Sequence, residues 1–231
     1  MFKETDIKDC TTCPFNAKAF KFLTKEELEL VNKNRHEVAY KPGEIIFKQN
    51  SAYTHVVSFN RGLAKIYLEG YNGKQLIIRL VKPNEFIASP GLNPNSKHYY
   101  SISALEQSTV CFLETSVIKM IFKQNHIFQE MLMRDIHSYY SKTLQKLINI
   151  NQKHRHGRIA EALIYLSEEI YESEDFSLTI SKRELADMAG ISTESSFRIL
   201  KELHDQGSIR IQKKHVEILD KGYLQQLSET G

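Results

Sequence analysis

Short runs of hydrophobic or alternating residues follow one another between about residue 36 and residue 114. Turn-forming pairs such as Pro-Gly, Asn-Gly and Asn-Pro separate the runs. Several short strands at nearly even spacing predict an antiparallel barrel or sandwich. The predicted strands cover residues 37–40, 45–48, 55–59, 63–68, 76–81, 100–105 and 109–113.

The pattern becomes helical after this region, and no glycine or proline occurs between Glu114 and Ile150. We expect a short helix from Thr115 to about Asn125 and a long helix over residues 126–152. The long helix has two apolar stripes, which predict two packing partners: its own strands and the same helix of a second copy. A helix buried within one chain is the alternative. The stripes consist of Phe128, Leu132, Ile136, Tyr139, Leu147 and Ile150, and of Met131, Tyr140, Leu144 and Ile148.

Residues 181–203 predict two short helices joined by a tight turn. Ser181 can cap the first helix, with Glu184 completing a capping box. Gly190 suits a turn that needs positive φ, and Ser192 can cap the second helix. This pattern is typical of a helix-turn-helix. The runs 209–212 and 216–219 flank Lys213-Lys214-His215 and predict a β-hairpin wing with a basic tip.

The second of these helices has a polar outward face. Ile199, Leu200 and Leu203 recur at helical spacing and are expected to face inward. Thr193, Glu194 and Arg198 then point outward together. A carboxylate can accept from cytosine N4, and a guanidinium can donate to guanine O6 and N7. The face therefore suits a DNA major groove, although Glu194 and Arg198 could also form a simple surface ion pair.

The predicted fold class is α+β. We divide the chain into an N-terminal tail (1–22), an antiparallel sheet domain (23–125), a dimerisation helix (126–152) and a winged helix-turn-helix domain (153–231). A capping box formed by Thr24 and Glu27 marks the start of the first helix.

Composition and charge narrow the possible functions. Residues 1–150 carry 20 Lys or Arg against 14 Asp or Glu, and residues 151–231 carry 11 against 14. The C-terminal part therefore lacks the excess positive charge of a protein that binds nucleic acid nonspecifically. Residues 182–215 are locally basic, as expected of a sequence-specific DNA-binding surface. No run approaches the roughly 18 apolar residues of a membrane span, and no signal region is present. We expect a cytoplasmic protein, and since no catalytic constellation occurs, not an enzyme.

Several segments resemble a known family. The segments 40–47, 60–67, 73–75 and 80–86 resemble the cyclic-nucleotide-binding β-roll, a jelly-roll-like fold, in order and spacing. Together with the helix-turn-helix, they make the chain similar to the Crp/Fnr transcription regulators from about residue 20 to the C-terminus.

This resemblance implies a homodimer on palindromic double-stranded DNA, with a small-molecule effector at the β-roll and RNA polymerase as a partner. Helix 126–152 would form the dimer interface, with Phe128, Leu132, Ile136, Tyr139 and Leu147 as the predicted contact residues. The implied base-reading residues are Thr193, Glu194 and Arg198. The candidates near phosphate are Ser181, Arg183, Ser192, Ser195, Phe197, Lys201 and Lys213. A ligand-binding module that acts on a protein partner is the alternative from another class.

The chain departs from the family at two neighbouring positions of the recognition helix. Ser196 stands where the family usually has a β-branched apolar residue, and Phe197 where a small residue usually faces DNA. Phe197 could contact a thymine methyl group or turn inward to fill the core.

The effector pocket that the resemblance implies also departs from the cyclic-nucleotide pattern. Ser89 stands at the position of the ribose-binding Glu, and His98 at that of the phosphate-binding Arg. An anionic cyclic phosphate favours a bidentate donor, whereas a neutral histidine offers one N–H. We therefore expect an effector other than cyclic AMP, near Ser89, His98 and Tyr99.

Three cysteines suggest a second kind of sensor. The oxygen-sensing branch of the family binds a [4Fe–4S] cluster, and Cys10, Cys13 and Cys111 fall on three of its four ligand positions. Ala19 stands at the fourth, so Asp9, His36 or an exogenous group would have to complete the cluster. The alternative is a core thiol at Cys111 and incidental cysteines in the tail.

Overall fold

The computed structural model describes residue 10, residue 13, residues 18–88 and residues 97–230. These residues form two compact units. The first contains the described residues up to Ala64 together with Val81–Tyr140, and the second contains Lys65–Leu80 together with the chain from Ser141.

The strands confirm the predicted antiparallel architecture. Two strands of three residues each, one after residue 84 and one after residue 174, were not predicted. The strands of the described chain are β1 (Arg35–Tyr40), β2 (Ile45–Phe47), β3 (His55–Arg61), β4 (Ala64–Glu69), β5 (Gln75–Val81), β6 (Glu85–Ile87), β7 (Ser101–Ala104), β8 (Ser108–Glu114), β9 (Asp175–Ser177), β10 (Ile209–Gln212) and β11 (His215–Ile218).

The helices follow the predicted periodicity. The helices of the described chain are α1 (Lys25–Lys33), α2 (Thr115–Gln124), α3 (His126–Gln152), α4 (Arg155–Tyr165), α5 (Lys182–Ala189), α6 (Thr193–Asp205) and α7 (Lys221–Thr230). A 3₁₀ turn covers Lys18–Phe22, and a π-helical segment, Leu166–Tyr171, continues α4. None of the helices in the described ranges combines the length and apolarity needed to cross a bilayer.

Two four-stranded sheets form the β-roll. The first has the order β1-β8-β3-β6, and its register places Val57 opposite both Phe112 and Ile87. The second has the order β2-β7-β4-β5, with Ile45 opposite Ser103. At the end of β4, Asn72 and Gly73 have positive φ, as expected for an Asn-Gly turn.

Helices cover one side of the first unit. Phe20 packs edge-on against Phe86, and Phe86 against Phe128, with ring centroids 5.7 and 6.3 Å apart. Phe128 and Leu132 lie in this core together with Ile118 and residues of the first sheet. The first stripe of α3 therefore packs, at its N-terminal end, inside its own chain.

The part of the second unit from Arg155 onward is a winged helix. The order of its sheet is β10-β11-β9, with Val216 opposite both Ile211 and Phe176. Helix α4 packs against α5, α6 and α7. The core of the winged helix contains these fully buried side chains: Ile159, Leu163, Leu166, Leu185, Ile199, Leu203, Ile209, Val216 and Leu224.

One polar side chain, that of Ser196, is buried in this core without a hydrogen bond. Ser196 is completely buried, and its hydroxyl has no hydrogen-bond partner in the structure. An unsatisfied buried hydroxyl destabilises a protein by about 1–3 kcal/mol.

We therefore expect Ser196→Ala to raise the free energy of unfolding of the second unit by about 1 kcal/mol. Urea denaturation followed by circular dichroism measures this change. Ser195→Ala is the matched control, because the neighbouring Ser195 is hydrogen-bonded and only half-buried. A stability of Ser196→Ala at or below that of the unmodified protein would contradict the expectation.

Candidate nucleic-acid interface

Both predicted caps of the helix-turn-helix are present. Ser181 N–H donates to Glu184 Oε2 at 2.8 Å, and Glu184 N–H donates to Ser181 Oγ at 3.1 Å. Gly190 has φ of 63° and ends α5. Ser192 Oγ accepts from Ser195 N–H at 3.2 Å and begins α6. These local contacts set where each helix starts and stops.

A third donor reaches the same capping carboxylate. Lys65 Nζ, on β4, lies 2.8 Å from Glu184 Oε1, and both residues belong to the second unit. Burial tends to raise the pKa of Glu184, but the hydrogen bonds from Lys65 and Ser181 outweigh it and lower the pKa. The carboxylate is therefore ionised, and it ties the start of α5 to β4.

The outward face of α6 is set by its buried face. Since Ile199, Leu200 and Leu203 are buried, the exposed positions between residues 193 and 203 are Glu194, Phe197, Arg198 and Lys201. The structure thus brings Glu194 and Arg198 onto one open face, as predicted, and places Thr193 half-buried at its edge.

Glu202 positions Arg198 and was not singled out from the sequence. Its Oε1 lies 3.7 Å from Arg198 Nε, while its Oε2 lies 2.7 Å from His156 Nε2. The guanidinium remains largely exposed, with 65% of the side chain accessible. The i, i+4 spacing of Arg198 and Glu202 was available in the sequence, whereas the contact with His156 spans 46 residues.

The N-terminus of α6 gathers two of the three predicted phosphate-binding serines. Ser192 Oγ donates to Ser195 Oγ at 2.9 Å, and Arg155 Nη1 donates to Ser195 Oγ at 3.5 Å. Arg155, which the sequence did not assign, therefore adds a cation to this helix end.

The remaining phosphate candidates are spread over the same unit. Arg183 on α5 and Lys201 on α6 are exposed. Lys213 is exposed in the turn between β10 and β11, with φ of 54°. The Ser181 hydroxyl is already engaged in the capping box.

The structure distinguishes between the two orientations considered for Phe197. The ring faces outward and is 47% exposed. Lys182 Nζ, from the first turn of α5, lies 5.2 Å from the ring centroid. The neighbouring Ser196, and not Phe197, enters the core.

Two of the three predicted effector residues, His98 and Tyr99, lie within the described chain. His98 is buried, with its ring stacked on Phe47 at 3.8 Å, and its Nδ1 has no hydrogen-bond partner. Burial lowers the pKa of His98 to about 4. Tyr99 is exposed, and Ser89 lies outside the described residues.

The three cysteines differ in their exposure to solvent. Cys10 and Cys111 are buried, and Cys13 is half-buried. Cys111 Sγ accepts from Asn60 Nδ2 at 3.0 Å and from Arg35 Nη1 at 3.5 Å, and burial raises its pKa to about 11. Among the residues that the structure describes, no three His, Cys, Asp or Glu side chains are grouped so that they could hold a metal ion. Asp9, one of the residues considered as a fourth ligand, lies outside the described residues.

Two family models match the chain. The model of the cyclic nucleotide-binding domain matches residues 37–125, and that of the Crp-like helix-turn-helix domain matches residues 157–227.

Known bacterial regulators align with most of the sequence. The chain is 27% identical to the transcriptional regulatory protein btr of Bordetella pertussis, over 87% of this chain and 84% of that protein. It is 25% identical to the transcriptional activator protein Anr of Pseudomonas protegens, over 94% of this chain and 90% of that protein.

Solved structures share the fold at lower identity. FixK2 from Bradyrhizobium japonicum superposes with a TM-score of 0.77 at 17% identity, covering 85% of this chain and 98% of that chain. The regulator CLP of Xanthomonas campestris superposes with a TM-score of 0.72 at 19% identity, covering 84% and 99%.

The buried neutral imidazole of His98 predicts acid sensitivity. The folded pKa of about 4 lies below the ordinary histidine value of 6.5, so the unfolded chain binds more protons between these two values. The free energy of unfolding should therefore have its full value above about pH 6.5 and should fall as the pH drops toward 4. The variant His98→Phe keeps an aromatic ring beside Phe47. Its free energy of unfolding should fall by about 1–3 kcal/mol less than that of the unmodified protein over this pH interval. Urea denaturation at several pH values measures the difference, and equal pH dependence of the two proteins would contradict it.

Proposed function

The chain belongs to the Crp/Fnr family of transcription regulators, and we propose that it binds a palindromic DNA site as a homodimer, reading bases with α6. The observation that carries this proposal is the open face of α6, where Glu194 and Arg198 stand beside a capped, cation-flanked helix N-terminus. The family consists of regulators and not of enzymes. We propose that the protein is located in the cytoplasm and binds DNA there.

Base reading follows from the chemistry of the exposed groups. A helix enters the major groove with its N-terminal residues against base edges. There Arg198 can donate two hydrogen bonds to guanine O6 and N7, and Glu194 can accept from cytosine N4. An ion pair with Glu202 at 3.7 Å lies beside Arg198 on the outward face. We assign Thr193 a contact at the edge of this surface.

Phosphate contacts would fix the register of the helix on the duplex. Helix N-termini bind phosphate through free N–H groups and the helix dipole. Ser192, Ser195 and Arg155 cluster at the N-terminus of α6. Arg183, Lys201 and Lys213 add exposed cations on α5, α6 and the wing. Each lysine or arginine that neutralises a phosphate makes binding more sensitive to salt.

We propose that α3 forms the dimer interface, through a set of side chains that differs from the set predicted from the sequence. Phe128 and Leu132 are fully buried in their own chain and present no area to a partner. Ile136 and Tyr139 are half-buried, and of the original set Leu147 is exposed. The exposed apolar stripe of α3 consists of Met133, Tyr140, Leu144, Leu147 and Ile148.

The effector is proposed to be something other than cyclic AMP. His98 is a buried, neutral ring stacked on Phe47 and cannot supply the cation that a cyclic phosphate favours. A redox effector acting through the cysteines and a role on a protein partner such as RNA polymerase are further proposals from the resemblance. No arrangement of the described residues favours either over DNA binding.

Arg198→Ala should weaken binding to the preferred duplex by about 1–3 kcal/mol and relax the preference at one G·C pair in each half-site. Fluorescence anisotropy on a duplex recovered by selection from random sequence, and on its single-pair variants, measures both effects. Arg183→Ala is the control, since loss of a phosphate contact weakens all sequences alike and lowers the salt slope by about 1. The same uniform loss in Arg198→Ala would make Arg198 a phosphate contact.

Leu147→Glu should convert the homodimer to monomers, because it places a charge in the exposed apolar stripe of α3. Analytical ultracentrifugation measures the change. Ser138→Glu is the matched control, because Ser138 is exposed on the opposite side of the same helix at 100° per residue. Dimers that survive Leu147→Glu, or monomers in the unmodified protein, would refute this assignment.

A further inference from the structure

We propose that Phe197 is a specificity-determining residue that contacts the C5-methyl group of a thymine in each half-site. This inference rests on the proposed function, because it requires α6 to enter a major groove. It adds an apolar contact to the polar contacts of Glu194 and Arg198.

The position of Phe197 on the helix supports the proposal. It follows Glu194 by three residues and precedes Arg198 by one, so all three share the outward face. An aromatic ring that is 47% exposed on an otherwise polar face leaves a large apolar surface in water. Its nearest buried neighbours, Ser196 and Ile199, occupy the core side of the helix.

The ring cannot turn inward without losing other contacts. Turning Phe197 into the core requires a rotation of α6 by about 100° for a shift of one residue. Such a rotation would move Ile199 and Leu203, both fully buried, toward solvent. The exposed orientation of Phe197 is thus set by the packing of its neighbours.

Lys182 makes a cation–π contact with the Phe197 ring on the outward surface of the motif. Lys182 Nζ lies 5.2 Å from the Phe197 centroid, within the range of a cation–π contact. Lys182 comes from the first turn of α5, so the contact joins the two helices of the motif on their outer side. The contact orients the ring and brings a positive charge to the side of the motif that would face phosphates.

The groups exposed in the DNA major groove determine which base Phe197 can recognise. In the major groove, adenine, guanine and cytosine present hydrogen-bonding groups, and thymine adds an apolar methyl group. A phenyl ring forms no hydrogen bonds, so it discriminates between base pairs through this methyl group. We therefore expect a T·A pair next to the G·C pair read by Arg198.

The test removes only the methyl group and leaves the protein unchanged. A duplex is first obtained by selection from random sequence with the full-length protein, and each thymine is then replaced by deoxyuridine. Fluorescence anisotropy should show an about fourfold loss of affinity at one thymine per half-site, the effect expected for one buried methyl group.

Phe197→Ser should bind the thymine and deoxyuridine duplexes with equal affinity. Phe197→Leu should retain part of the difference in affinity between the two duplexes. Lys201→Ser, changed one turn further along α6, removes a proposed phosphate contact. It should therefore weaken binding to both duplexes alike and leave the ratio of their affinities unchanged. The proposal is overturned if no thymine is sensitive, or if Phe197→Ser retains the sensitivity of the unmodified protein. Failure of the selection to enrich any sequence would instead contradict the proposed function, and the inference with it.

Discussion

The recognition surface depends on one packing constraint: the burial of Ile199, Leu200 and Leu203 against the rest of the second unit. Each of these side chains stabilises the fold by about 1.5–3 kcal/mol when fully buried. Together they determine the rotation of α6 about its axis. The outward positions of Phe197 and Arg198 follow from that rotation. A sequence with the same outward residues but a shifted apolar stripe would present a different face to DNA.

A second constraint places α6 correctly by holding the helix that precedes it. Glu184 accepts hydrogen bonds from the Ser181 backbone, the Ser181 hydroxyl and Lys65. The carboxylate thus satisfies donors at the N-terminus of α5 and pairs with a lysine from β4 within the same unit. Gly190 then turns the chain with φ of 63°, a conformation that glycine adopts without strain. A short loop anchored at both ends leaves α6 little freedom to slide along its own axis.

Local patterns were enough to predict the helices, their caps and most strands, because 3.6-residue and two-residue periodicities are visible in the sequence. The three-residue strands β6 and β9 are too short to show a period. Contacts between distant residues had no local signal: Lys65 meets Glu184 across 119 residues, and His156 meets Glu202 across 46. The two stripes of α3 were visible, but periodicity does not tell which stripe packs inward, and Phe128 proved to lie in the core.

Protection of the selected duplex from dimethyl sulfate tests the central claim most directly, because the reagent methylates guanine N7 in the major groove and adenine N3 in the minor groove. The account predicts protected guanine N7 atoms in both half-sites, with the two sets about one helical turn apart. Adenine N3 atoms between them should remain reactive. A stable complex in which no guanine N7 is protected, or in which one half-site alone is protected, would contradict recognition by two copies of α6.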